Sequence, residues 1–266
     1  MNDLDRGQVN TSAAEVYEEF FLPALFQDWA QPVIKAAQIQ AGQCVLDVAC
    51  GTGVLARAAL EAVNSSGKVT GLDINESMLE VARIKAPAVE WYKGQAEQMP
   101  FDVEQFDAVI SQFGLMFFED KPAALKEMMR VLKVGGRLAV AVWNRLEHTP
   151  GYAAMTELLR RLFGDEAAKS LEAPYILGDV TQLETLFSQA GMPGVGISTI
   201  KGIARFASID AWVHTDIKGW ILADRIDEKQ YQTLLSVAQK DLASFVTNEG
   251  TVIFDAPAHI ITWQKG

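Results

Sequence analysis

Cysteine, histidine and basic residues are all scarce in this 266-residue chain. Its two cysteines, Cys44 and Cys50, flank one short apolar stretch, so no multi-bridge disulfide framework is available. The three histidines, His148, His214 and His259, are far apart in sequence, and no C-x-x-C, H-x-E or H-E-x-x-H spacing occurs. A metal site is therefore not expected. Lys and Arg total 23 against 34 Asp and Glu, a formal net charge of −11, with no local Lys/Arg cluster. Such a surface repels phosphate backbones and anionic lipid, so nucleic acid is not expected as a partner. No apolar run approaches the ~20 residues of a membrane helix, so no membrane insertion is expected. The opening "MNDLDRGQVN" lacks the basic and apolar regions of a signal peptide, and with so little cysteine the expectation is a cytoplasmic protein. Repeats, low-complexity tracts and flexible linkers are also missing.

What is present is a regular alternation. "QCVLDVA", "KVTGLDI", "AVEWYKG", "FDAVISQF" and "RLAVAVW" read as five short, mostly apolar strands. Helices fall between them: Gly53 to Val63, a segment capped by Asn75 that must stop before Pro87, and one capped by Asp120 with Pro122 in its first turn. Lys133 is expected in that helix's last turn, with Gly135-Gly136 after it. Apolar strands joined by helical crossovers predict an α/β fold, a mostly parallel sheet with helices on both faces. Residues 13–38 read as helical, with Pro23 and Pro32 as breaks or starts. After Trp143 the rhythm changes. An inserted helix is expected over 151–172, and a capped helix runs from Asp179 and Gln182 to Gly191. "GVGISTIKGIARF" and "GTVIFDAPAHIITW" read as two late strands, with helical stretches at about 208–222 and 227–246 between them.

The stretch "VLDVACGTG", Val45 to Gly53, ends the first strand in a glycine turn. In an open parallel sheet, ligands sit beyond the carboxyl ends of the strands, where this turn lies. With Ala56 the run also reads G-x-G-x-x-A, the loose dinucleotide fingerprint. Gly51 and Gly53 would let the backbone approach a ligand closely. Asp47, four residues before Gly51, opposes a pyrophosphate but suits a cation, which points to a ligand with a positive group near the turn. Asp73 ends the second strand and can accept both hydroxyls of a ribose, as NAD and other adenosine ligands require alike. "GQAEQMPF" follows the third strand, and a carboxylate or backbone group there could meet an adenine amino group.

In order, "VLDVACGTG", "VTGLDIN", "GQAEQMPF", "FDAVISQFGLMFF" and "EMMRVLKVGGRLAVAVW" resemble the motifs of class I S-adenosylmethionine-dependent methyltransferases, the broad group containing the ubiquinone/menaquinone C-methyltransferases. The resemblance spans about 41–145. It implies a Rossmann-like seven-stranded, mostly parallel sheet whose last strand is antiparallel, with helical insertions at about 151–172 and 208–246 forming a cap. It divides the chain into an N-terminal helical lid segment, 1–40, and a methyltransferase domain, 41–266. By the same resemblance S-adenosylmethionine is the cofactor and S-adenosylhomocysteine its product. Asp47 and Ala49 to Gly53 would hold the methionine portion, and Asp73 the ribose. Ile74 and Met78 would lie beside the adenine, with Ala96 and Glu97 lining its pocket. Gln112 and Phe113 would sit near the transferring methyl.

Several residues carry both a functional and an ordinary structural reading. Phe113, Phe117 and Phe118 are more often core than pocket lining, although the position of Phe113 argues for the site. Each histidine is more often structural than a base; His148 and His214 are the weak catalytic candidates. Cys50 is better explained as a small buried thiol. Tyr17, Phe20, Phe21, Phe26 and Trp29 could pack as core or cover the cofactor, and Trp29 is counted with the cofactor-binding residues. The expected activity is methyl transfer to a small or medium-sized, partly apolar molecule. The alternatives are a nicotinamide-dependent oxidoreductase and a non-catalytic S-adenosylmethionine-binding regulator.

Overall fold

A computed structural model describes residues 11–218 and 226–266. The parts of the expected lid at 1–10 and of the second insertion at 219–225 lie outside the described residues. Five strands follow the alternation read from the sequence: β1 (Cys44–Val48), β2 (Lys68–Asp73), β3 (Glu90–Lys93), β4 (Phe106–Gln112) and β5 (Leu132–Trp143). With β6 (Gly196–Ile200) and β9 (Ala258–Gln264) they form a seven-stranded sheet in the order β3-β2-β1-β4-β5-β9-β6. β9 runs antiparallel to both neighbours, and the pairs among the first five strands are parallel. Apart from Val134, which is exposed, valines, leucines and isoleucines of β1, β4 and β5 are fully buried, as strands covered on both faces require.

From β1 the chain moves outward to β2 and β3; from β4 it moves the opposite way to β5. Right-handed crossovers therefore put α3 (Val54–Val63) and α4 (Glu76–Lys85) on one face and α5 (Lys121–Val131) on the other. The direction reverses between β1 and β4, and the carboxyl ends of the strands part there.

The chain enters through α1 (Thr11–Val16), a wide π-type helical segment Tyr17–Phe26 containing Pro23, a short turn Gln27–Trp29, and α2 (Ala30–Ala36). The first insertion is two helices, α6 (Pro150–Phe163) and α7 (Asp165–Glu172), divided at Gly164. α8 (Val180–Gln189) is capped by the Asp179 carboxylate, which accepts the Gln182 N–H at 2.8 Å. The second insertion supplies α9 (Ile209–Lys218) and α10 (Glu228–Asp241).

Two expectations are corrected. Lys133 is not in the last turn of α5: that helix stops at Val131, and Lys133 lies in β5. The β4–β5 register jumps from Phe106–Leu132 to Ala108–Arg137, so residues 133–136 bulge out. Lys133 then reaches Asp107 at 2.7 Å, whose other oxygen accepts the Cys44 N–H at 2.8 Å. Among the described residues the late strands number four, not two. Pro257 cannot donate to a ladder and divides β8 (Val252–Asp255) from β9; Lys201-Gly202 divide β6 from β7 (Ile203–Phe206). β7 and β8 leave the main sheet to form their own antiparallel ribbon.

Candidate active site

The turn after β1 is built from left-handed backbone. Ala49, Gly51 and Gly53 have φ of 56°, 55° and 88°. Cys50 N–H donates to the Leu72 carbonyl at 3.1 Å, Gly53 N–H to the Cys50 carbonyl at 2.9 Å, and Gly51 N–H to the Asp73 carboxylate at 2.8 Å. The two glycines do different work. A Cβ on Gly51 would meet nothing within 4 Å, because this residue faces a cleft. A Cβ on Gly53 would lie 2.5 Å from the Trp91 ring. Gly53 is needed for packing and for the entry into α3, and it is not on the cleft wall.

The cleft holds about 1150 Å³ of atom-free space, its open mouth included. It lies over the carboxyl ends of β1, β2, β4 and β5. Its wall includes Ala49, Gly51, Asp73, Ile74, Met78, Ala96, Glu97, Gln112 and Phe113, so nine of the twelve cofactor-binding candidates converge there. Asp47, Gly53 and Trp29 do not reach it.

Asp73 braces as well as lines. Its Oδ2 accepts Gly51 N–H and its Oδ1 accepts Asn75 N–H, each at 2.8 Å, while Asn75 caps α4 through the Met78 N–H. Burial raises the pKa of this carboxyl, and the N–H groups of Asn75, Gly51 and Ile74 work against the rise. Asp47 lies deeper, only 1% exposed, behind the turn. Neither of its oxygens closes a normal hydrogen bond among the described residues. Burial pushes its pKa well above the ordinary carboxylate range, the Ala56 N–H pulls the other way, and Asp73 adds to the rise. The Asp73 carboxyl beside a turn opened by Gly51 suits a ligand carrying hydroxyls near β2. Burial, followed by the charges of Asp73 and Asp47, raises the Cys50 thiol, so it stays protonated and unreactive.

At the other end of the cleft the wall is aromatic. Phe113 holds φ of 58°, a conformation a bulky side chain adopts only under constraint. Its ring stacks on Trp143 with centroids 3.8 Å apart and planes 4° from parallel. Phe117 and Phe118 also line the cleft, which corrects their reading as ordinary core. From the N-terminal segment, Tyr17 and Phe26 complete the wall, and their rings lie 5.3 Å apart. Glu18 anchors this segment to α3 by a 3.0 Å ion pair with Arg57, which also donates to the Thr52 carbonyl. Trp29 is a layer beneath: it packs edge-on against Phe113 and Trp143 and is 3% exposed.

None of the histidines reaches the cleft. His148 is half-exposed, with Nδ1 3.1 Å from the Asn144 side-chain oxygen. His214 stands edge-on to Phe20, and Phe20 is exposed. His259 is buried; its Nε2–H donates to the Gly178 carbonyl and its Nδ1 accepts from the Thr199 hydroxyl, so it is a structural tie. The two catalytic candidates are therefore corrected, because both lie off the site. Glu97 reaches the wall, but one of its oxygens accepts the backbone N–H groups of Glu119 and Asp120. That fixes the loop and leaves less of the carboxylate for a ligand. The sequence reading missed Trp143 and Asn75. Trp143 was marked by its position: it ends a strand on the same carboxyl edge as Asp73 and Gln112. Among the described residues no three His, Cys, Asp or Glu group closely enough to hold a metal ion. No described helix is long and apolar enough to cross a membrane.

Against known proteins, residues 20–203 match the sequence profile of the ubiE/COQ5 methyltransferase family. The demethylmenaquinone methyltransferases of Staphylococcus carnosus (strain TM300) and Staphylococcus aureus (strain JH9) are each 36% identical over 188 residues, 65% of this chain and 78% of theirs. Among solved structures, the fold is similar to Haemonchus contortus phosphoethanolamine N-methyltransferase 2 in complex with S-adenosyl-L-methionine. There the TM-score is 0.64 at 17% identity, over 99% of this chain and 59% of that one. It is also similar to the YcgJ protein of a Bacillus species, with a TM-score of 0.59 at 24% identity over 89% and 97%.

Proposed function

This chain belongs to the ubiE/COQ5 methyltransferase family of S-adenosylmethionine-dependent enzymes, and we propose that it methylates a small hydroquinone-type ring in the cleft above β1 and β4. The observation that carries this reading is one cavity with two unlike ends. At one end Asp73 and the open side of Gly51 fit a ribose and a close-lying cationic chain. At the other, Phe113 stacked on Trp143, with Phe117, Phe118 and Phe26 nearby, forms a wall for a flat apolar ring. The family speaks against a nicotinamide oxidoreductase, whose pyrophosphate would have to sit over the turn.

S-adenosylmethionine, when bound, supplies a methyl on a positively charged sulfur that is already activated for displacement. The chain's own part is alignment and drying. Asp73 and the turn position the nucleoside end, Ile74 and Met78 pack beside its base, and Ala96 closes the pocket behind. The aromatic wall holds the acceptor ring face-on, so proximity carries much of the rate. Residues 13–30 act as a cover that keeps water from the reacting atoms. Incubating the full chain with methyl-labelled S-adenosylmethionine and reduced naphthoquinones tests the reading. A ring-methylated product is the expected result; binding of S-adenosylhomocysteine without transfer to any hydroquinone would overturn the hydroquinone acceptor.

A further inference from the structure

Gln112 ends β4 on the cleft wall, between the nucleoside end and the Phe113–Trp143 stack. Its Nε2 lies 3.0 Å from the backbone carbonyl of Phe26, the last residue of the π-type segment. A carbonyl only accepts, so the amide must turn its NH2 toward Phe26, and that fixes where its oxygen lies. Oε1 is buried and has no hydrogen-bond partner among the described residues. A buried amide oxygen left unpaired costs free energy unless a ligand brings it a donor. Two of the cleft's carboxylates brace the backbone: Asp73, two strands away on β2, holds Gly51 and Asn75, and Glu97 holds the backbone of Glu119 and Asp120. Gln112 is thus a polar side chain on the wall beside the aromatic ring slot whose buried oxygen has no partner among the described residues. A neutral amide oxygen takes up no proton at ordinary pH and donates nothing. It can discriminate only by demanding an O–H or N–H.

We propose that Gln112 is the positioning residue that selects the methyl acceptor. Its Oε1 accepts a hydrogen bond from a hydroxyl on the acceptor ring, while its Nε2 ties that choice to the closed N-terminal cover. This rests on the methyltransferase reading above and adds the acceptor's required chemistry to it. A hydroquinone satisfies the oxygen; its O-alkylated form does not, and would leave a buried acceptor unpaired against an ether. A second donor for the same oxygen is the ammonium group of the cofactor's methionine portion, and the two sources make opposite demands on a variant.

The test uses the full chain with S-adenosylmethionine and two probes, 1,4-dihydroxynaphthalene and 1,4-dimethoxynaphthalene. Wild type is compared with Gln112→Met, which keeps length and removes both polar ends, and Gln112→Glu. S-adenosylhomocysteine affinity and Tm are measured alongside. The expected result is that wild type prefers the dihydroxy probe in kcat/KM and that Gln112→Met lowers this preference about tenfold or more. The intrinsic reactivity of the probes cancels in that ratio. Affinity for S-adenosylhomocysteine should stay within about threefold. Gln112→Glu should recover preference as pH falls, because a protonated carboxyl again donates to Phe26 and accepts from the ring hydroxyl. An unchanged preference in Gln112→Met overturns the proposal. So does a tenfold loss of S-adenosylhomocysteine affinity with preference intact, which would assign the oxygen to the cofactor. Binding of S-adenosylhomocysteine with neither probe methylated refutes the hydroquinone class. If wild type binds no S-adenosylhomocysteine, the methyltransferase reading itself has failed.

Discussion

Replacing Asp73 by alanine separates two tasks that the structure assigns to one carboxylate. In the folded chain it accepts the Gly51 and Asn75 N–H groups at 2.8 Å each. Removing it strands two donors, at about 1–3 kcal/mol each where they stay buried. Part of that loss is returned, because the buried carboxyl itself carries a desolvation cost, visible in its raised pKa. A net stability loss of about 1–3 kcal/mol follows, or a Tm drop of roughly 2–4 °C per kcal/mol for a domain of this size. Ligand binding should suffer more. Two charge-assisted bonds to ribose hydroxyls contribute about 1.5–3 kcal/mol each, and each 1.4 kcal/mol is about tenfold in affinity. S-adenosylhomocysteine should therefore bind Asp73→Ala about a hundredfold to about ten-thousandfold more weakly by calorimetry. Asp73→Asn should destabilise the fold about as much as alanine, since its NH2 must face one of the two N–H groups it replaces a partner for. If Asp73→Ala lowers Tm while affinity stays within about twofold, the carboxylate is only a brace for the turn, and the ribose assignment is wrong.

The two glycines should fail in opposite ways. Gly53→Ala drives a methyl toward Trp91 at φ of 88° and should lower stability by roughly 2–4 kcal/mol in urea melts. Gly51→Ala should cost only about 1–2 kcal/mol of stability but weaken S-adenosylhomocysteine binding, because its methyl projects into the cleft. Asp216 gives a pH dependence: it is buried in the cap, accepts the Tyr152 hydroxyl at 3.0 Å, and burial pushes its pKa up to about 8. The folded state then holds the extra proton between about pH 4 and about pH 8, so this residue's contribution to stability falls as pH rises through that window. Asp216→Asn should flatten the fall; a slope unchanged in the variant would mean that the group ionises normally. For the cover, hydrogen exchange of residues 14–26 should slow when S-adenosylhomocysteine is added, and equal protection with and without ligand would make the segment permanent core. Trp29→Ala is a poor probe of the cover, since Trp29 packs beneath Phe113 and Trp143 and its loss should lower Tm first.

How much of this was legible follows from the range of each interaction. The first five strands and their helices rest on local signals: Asn75, Asp120 and Asp179 all cap the helices they were read to cap. Lys133 was misplaced because its fate is decided by Asp107, 26 residues away, and no local pattern announces that pairing. The late strands were merged because apolar alternation runs straight through Gly202 and Pro257, and only the departure of β7 and β8 from the sheet makes the breaks necessary. The nucleoside end of the site was legible for the same local reason: turn and carboxylates sit at fixed offsets from strand ends. Asp47 lies near the end of its strand but behind the turn and not on the cleft wall; sequence spacing gives position along a strand and not depth behind a turn.

The aromatic end of the cleft was legible only in part, through Gln112 and Phe113, and the reason is geometric. It is assembled from the ends of β4 and β5, the turn after β4, and the N-terminal segment, four pieces of chain whose side chains meet only after folding. Phe26 lies 86 residues from Gln112, yet its carbonyl decides which way that amide points. Aromatic residues such as Phe113 and Trp143 carry the same sequence signal whether they fill a core or line a cleft, since both environments reward the loss of water from a flat ring. What separates the two outcomes is strain and pairing. Phe113 is held at φ of 58° against a 3.8 Å stack, and Gln112 keeps an amide oxygen that has no partner among the described residues. A packed core would relax the first and pair the second. Their persistence together, at the carboxyl edge of the switch between β1 and β4, marks this end as shaped for something that arrives from solution.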